Sequence, residues 1–271
     1  KMGVKEVEAV KEKIRDIIER YLEIEDIWGC VPSFANPVKE MLVASEDDVY
    51  EVVKKLKDAW NIGEDGILSV TDLLESKNIK VVEIKADLSF DGLSGYVNND
   101  ENMPFVVVNK SFDVERLRFT GLHELGHLVM NLPEEMEKKD KERLCNLFAS
   151  EMLISRDIFV DVLGERRSDI SLQELKVLQA VYGISVDALM FKAKTVGVIS
   201  ESKYTSFCIR KNKSLAFKDA VERSSYRGVE ESSRFDRLVY RALASDMISC
   251  SKAAVLLNEP MEEVKNKLEL V

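Results

Sequence analysis

The chain has 271 residues, 45% of them hydrophobic and 32% charged, which suits one large globular domain or two modest ones. A formal net charge of −10 weighs against a general nucleic-acid-binding face. Residues 1–20 form a charged stretch without the apolar segment of a signal peptide, no run of 18 apolar residues occurs, and Cys30, Cys145, Cys208 and Cys250 are scattered with no C-x-x-C pair. The expectation is a cytoplasmic protein with reduced, buried thiols and no membrane contact.

Lys1 ahead of Met2-Gly3 reads as a vector-derived residue. Val7, Val10, Ile14, Ile17, Ile18 and Tyr21 recur at helical spacing and predict a helix over 4–24. Residues 28–44, with Gly29, Pro32 and Pro37, read as irregular. Ser45 followed by Glu46, Asp47 and Asp48 suits the start of a helix to Trp60, stopped at Asn61-Ile62-Gly63. A short helix is expected over 69–77. Three β-rich runs follow, at 79–84, 92–97 and 105–108, with a polar loop at 98–102. Asp113 reads as the cap of a helix to Met130, Glu134 to Glu142 as a solvated charged loop, and 139–154 as the next helix. Beyond Gly164 the pattern is helical, with a capping box at Ser171 and Glu174 and helices to Ala180, Val196 and Ile209. Residues 211–233 read as a flexible polar connection, and 234–269 as two or three short helices. The division expected is 2–40 for a helix and linker, 41–164 for a catalytic domain and 165–271 for a helical domain.

The chain's two histidines lie four apart, in His123-Glu124-Leu125-Gly126-His127. Chance places two histidines four apart in about one arrangement in a hundred, and H-E-x-x-H is the signature of a zinc peptidase. On a helix, positions i and i+4 share a face, so both imidazoles can reach one metal while Glu124 acts as general base toward a water. A catalytic zinc takes three protein ligands and keeps one open position. With no third histidine, the remaining ligand must be Asp, Glu or Cys. Glu142 is favoured over Glu151 because it begins the following helix and shortens the return from His127; Cys145 is weaker. The same donor set accepts Mn²⁺. Candidates for a second oxyanion donor are Tyr96, Arg116 and Arg118, with Tyr96 preferred. Residues 92–97 could also pair with an extended substrate strand.

The segment Arg116-Leu-Arg-Phe119-Thr120-Gly-Leu-His123-Glu-Leu-Gly-His127-Leu, followed by Glu142-x-x-Cys145-Asn146-x-Phe148-Ala149-x-x-Met-Leu153-Ile154, resembles the ImmA/IrrE family of metallopeptidases. So do Asp91-Gly-Leu-Ser-Gly95-Tyr upstream and Ser171-Leu-Gln-Glu-Leu with Tyr182-Gly-Ile-Ser-Val downstream. The likeness covers residues 40–200 and departs from the usual pattern at Ile154-Ser155, where a Met-Pro or Leu-Pro is common. It implies an α+β fold: a zincin-like domain with a small mixed β-sheet and an active-site helix, followed by an all-α C-terminal region. It also implies that Glu142, in E-x-x-C-N, is the third ligand. The family resembles enzymes that cleave XRE-type helix-turn-helix repressors, so the implied partner is such a repressor or an antitoxin. Many members carry an XRE domain at their own N-terminus. Residues 1–40 lack that pattern, so either the chain was shortened or the partner is a separate protein. A silent zinc-holding module that sequesters a regulator is the alternative to an active enzyme. Leu175 to Gly197 and Ser251 to Val264 have a helix–turn–helix rhythm, but Glu259, Glu262 and Glu263 would repel phosphate, which favours packing over DNA contact.

Overall fold

The computed structural model describes residues 4–29, 33–100 and 102–268. The readings on Lys1 to Gly3, Cys30 to Pro32 and Glu101 lie outside these. Helix α1 (Val4–Ile27) runs one turn past its expected end. Helix α2 (Glu46–Trp60) starts at Ser45, whose hydroxyl accepts from the Asp48 amide while the Asp48 carboxylate accepts from the Ser45 amide. It ends on left-handed Asn61. Helix α3 (Val70–Ser76) is capped by Ser69. These boundaries follow the local cap chemistry of the sequence.

The strands β1 (Lys80–Ile84), β2 (Gly92–Tyr96) and β3 (Pro104–Asn109) form a mixed sheet in the order β1-β3-β2. Central β3 runs parallel to β1 and antiparallel to β2, so β2 is an edge. Alternation along the strands sends Val82, Ile84 and Val107 into a core with Ile14 and Ile18 of α1, and sends Val81, Val106 and Val108 into a larger core on the other face. On that second face lie α4 (Val114–Val129), capped by Asp113, and α5 (Lys138–Leu153).

After α5 the chain forms α6 (Arg156–Leu163), which the β-branched run Ile158 to Val162 conceals in the sequence. Ser155 accepts from the Ile158 amide to start this helix, and buried Phe159 and Leu163 anchor it. The unusual Ile154-Ser155 pair is thus the junction of two helices. Then follow α7 (Leu172–Tyr182), α8 (Val186–Thr195), α9 (Glu201–Lys213), α10 (Leu215–Glu222), α11 (Arg234–Ala244), α12 (Cys250–Leu257) and α13 (Met261–Lys267). The fold is α+β, with a small mixed sheet and a helical C-terminal region.

Two expectations need correction. Residues 211–233 are not a loose connection: they contain α10, and the stretch 223–233 is a strap whose Glu230 is buried against α3 and α4. Its serines satisfy buried carboxylates, which polar composition alone disguises as solvation. Among the described cysteines, Cys145 is buried but Cys208 and Cys250 are only partly so. The large core also runs continuously from Phe34 to Val221, crossing the expected boundary at 164. A third core joins Ile24 of α1 to α11, α12 and α13.

Phe148 is fully buried at the crossing of α5 and α4. Phe148→Ala is expected to destabilise the fold by about 3–5 kcal/mol in urea denaturation. A loss under about 1 kcal/mol would mean that this crossing is not a tightly packed contact.

Candidate metal centre

Helix α4 carries the H-E-x-x-H segment. Its inward face is Leu122, Leu125, Leu128 and Val129, all buried, which turns His123 and His127 toward a cavity of about 770 Å³. Gly126 lies beneath Phe148 of α5: a Cβ there would stand 3.2 Å from the Phe148 ring. The lack of a side chain at Gly126 lets the two helices approach closely, and this proximity puts Glu142, in the second turn of α5, opposite the histidines.

The three donors meet. His123 Nε2 is 3.2 Å from His127 Nε2 and 3.2 Å from Glu142 Oε2, and His127 Nε2 is 3.7 Å from the same carboxylate oxygen. Asn146, one turn beyond Glu142, has its Oδ1 3.0 Å from His123 Nδ1. An amide oxygen only accepts, so Nδ1 carries the proton and Nε2 presents a lone pair. Lone pairs and a carboxylate oxygen converging at such distances repel one another unless a proton or a metal cation lies among them. The donor chemistry therefore fits a divalent metal held by His123, His127 and Glu142.

Glu124, one residue from His123, is buried and accepts a 2.7 Å hydrogen bond from the Ser94 hydroxyl on β2. Burial raises its carboxyl above the ordinary carboxylate range; the Ser94 bond and His127 oppose that shift, and Glu142 and Asp91 add to it. Gly92, two residues before Ser94 on the same strand face, allows this approach. A Cβ there would come within 2.6 Å of the Val107 carbonyl and 2.7 Å of the Thr120 side chain.

The other candidates separate clearly. Glu151 is buried away from the cavity, where it pairs with Lys192 and accepts from the Arg156 amide at 2.8 Å. Cys145 lies behind His127, with Sγ 3.4 Å from Nδ1, the nitrogen opposite to the converging one. Burial pushes its thiol far up, and Glu142 and Glu124 add to this. What sets Cys145 apart is position: its sulfur faces the far nitrogen of the His127 ring and not the point where the other donors converge. The Tyr96 hydroxyl donates to the Leu128 carbonyl at 2.9 Å, and its side chain lines a different cavity beside residues 128–131. The oxyanion role expected for Tyr96 does not follow from that position. Arg118 is wholly buried on another side of α4, whereas Arg116 lines the histidine cavity, bound to Asp91 at 2.7 Å. The sequence reading missed Ser94 and assigned Asn146 no role. Period-2 facing of Gly92 and Ser94 and the one-turn spacing of Glu142 and Asn146 were the available signals.

A family model for Peptidase M78, described as an IrrE N-terminal-like domain, matches residues 74–194. Over those residues the chain is similar to IrrE-type metallopeptidase domains. The M78 match begins within α3 and ends in α8, so it includes the sheet, α4 and α5 and crosses the expected boundary at 164. No curated protein matches the chain. The M78 family implies a divalent metal, and the His123, His127 and Glu142 donors supply a place for one.

Asn146→Ala is expected to weaken zinc binding about 10–100-fold, as loss of a partner that orients a ligating imidazole does. Glu151→Gln should leave zinc affinity unchanged. Competition with a chromophoric chelator measures both, and an equal loss in the two variants would contradict this assignment.

Proposed function

We propose that the chain is a zinc-dependent endopeptidase of the gluzincin kind, with His123, His127 and Glu142 as ligands and Glu124 as general base. Its substrate is a protein, an XRE-type helix-turn-helix repressor or antitoxin, cleaved in the cytoplasm in phage or mobile-element, stress-response or toxin–antitoxin regulation. Mn²⁺ suits the same donors. The observation that carries the reading is the convergence of three donor atoms beside a buried, hydrogen-bonded Glu124 in one cavity. The substrate class rests on the family resemblance.

Bound there, a zinc ion would polarise the scissile carbonyl and acidify an attacking water. Glu124 takes that water's proton and later delivers it to the leaving amine. A carboxyl raised by burial is suited to both transfers, since it holds a proton less reluctantly than an exposed one. Ser94 fixes which way the Glu124 carboxylate faces. Asn146 keeps His123 in the tautomer that ligates. Strand β2, at the edge of the sheet beside Glu124, gives an extended substrate segment a backbone to pair with. Such a segment must be unfolded or flexible.

The test is incubation of the zinc-loaded or manganese-loaded protein with the helix-turn-helix protein encoded beside it, followed by mass spectrometry of the products. Wild type should release fragments, and Glu124→Gln should lower the rate by at least about 10²-fold while still binding metal. A stable complex with metal-loaded wild type and no cleavage would contradict the peptidase reading for that partner.

A further inference from the structure

The strap at 223–233 lies beyond the matched M78 domain, yet it reaches the helix that carries the histidines. Its anchor is Arg118, which no step of the proposed chemistry uses. Arg118 sits five residues before His123 and about 140° round α4 from it. Its side chain is fully buried. Nη2 donates to the Ile67 carbonyl at 2.6 Å and the Tyr182 carbonyl at 3.3 Å, and Nε donates to the Gly183 carbonyl at 3.2 Å. Nη1 donates to the Leu68 carbonyl at 3.3 Å and, from the strap, to the Tyr226 hydroxyl at 2.8 Å and to Glu230. The guanidinium also stacks on the Tyr226 ring, 4.6 Å from its centroid.

Glu230 is equally enclosed. It accepts from the Val70 and Thr71 amides, at 3.0 and 2.9 Å, and from the Ser69 hydroxyl at 3.2 Å. One carboxylate thus serves the start of α3 and the only cation that α4 buries. The strap meets α4 again at buried Glu115, which accepts from Ser224. Left-handed Gly183 makes room for the guanidinium, since a Cβ there would lie 2.4 Å from Arg118 Nε.

We propose that Arg118 and Glu230 are positioning residues for the metal centre, and that the strap is an arm that sets how α4 presents His123 and His127 to Glu142. The donors come from two helices, so a small rotation of α4 changes their convergence directly. A buried guanidinium deprived of its carboxylate must shift or admit water, and either displacement is transmitted along a rigid helix. The proposal rests on the metal-centre reading above for its consequence, but not for its geometry.

The chain has only two histidines, so ¹³C-histidine labelling gives a direct report on them in metal-free protein. The variants are Glu230→Gln, the milder Tyr226→Phe, and Ser232→Ala. Ser232 belongs to the same strap, but its hydrogen bonds run to Glu75, Glu83 and the Val81 carbonyl, on α3 and β1 and not on α4. Each is compared with wild type by thermal unfolding, by the two histidine signals and by zinc affinity well below the unfolding transition. Glu230→Gln should move both histidine signals and weaken zinc about tenfold or more. Tyr226→Phe should do the same to a smaller degree, and Ser232→Ala should lower the unfolding temperature without either effect. Glu230→Asp, which keeps the carboxylate, should recover part of the lost affinity. Histidine signals unmoved in both Glu230→Gln and Tyr226→Phe would overturn the proposal, as would zinc affinities equal to that of Ser232→Ala. Failure of wild type to bind zinc would instead sink the metal-centre reading, and the histidine signals would still decide whether the strap positions α4.

Discussion

The close approach of α4 and α5 is the contact on which the site depends. Two of the three candidate metal donors belong to one helix and the third to the other, so no local preference of either helix can create the cluster. Gly126 leaves the space that the Phe148 ring fills, and Leu122 and Leu125 of α4 and Leu144 and Met152 of α5 are buried in the same core. A Cβ at Gly126 would stand 3.2 Å from the Phe148 ring, tighter than ordinary contact, so the helix that carries Glu142 would have to give by a few tenths of an ångström at that point.

Glu124, the proposed general base, faces a different compromise. Burial raises its carboxyl, yet it also lines the cavity beside His123 and His127. The edge strand resolves this by bringing Ser94 rather than an apolar residue against it, with Gly92 reducing the strand to bare backbone at the closest point. The same edge position leaves β2 as the side of the sheet on which another strand can be added. In the proposed peptidase, one strand would then hold both the hydrogen-bond donor to Glu124 and the edge to which a peptide adds.

Much of this was legible in the residues. The spacing of His123 and His127 implies a shared helix face, and cap residues such as Ser45, Asp113 and Ser171 mark helix starts within a residue. The choice between Glu142 and Glu151 was only weakly legible, because both lie on α5 and the sequence does not show which face meets α4. The structure separates them by partner, with Lys192 neutralising Glu151 in the core. Long-range polar partners were the least visible. Arg118 and Glu230 lie more than a hundred residues apart, and a strap rich in serine and arginine reads as solvated until its buried acceptors are known. Tyr96 illustrates the same limit: a tyrosine near a cleft suggests an oxyanion donor, but the hydroxyl is committed to the Leu128 carbonyl.

The identity of the donors is the central claim, and zinc K-edge X-ray absorption on the loaded protein tests it most directly. The account predicts a first shell of nitrogen and oxygen only, at about 2.0–2.2 Å, with the multiple-scattering pattern of two imidazoles. A sulfur scatterer at about 2.3 Å would place Cys145 on the metal and contradict the assignment of Glu142.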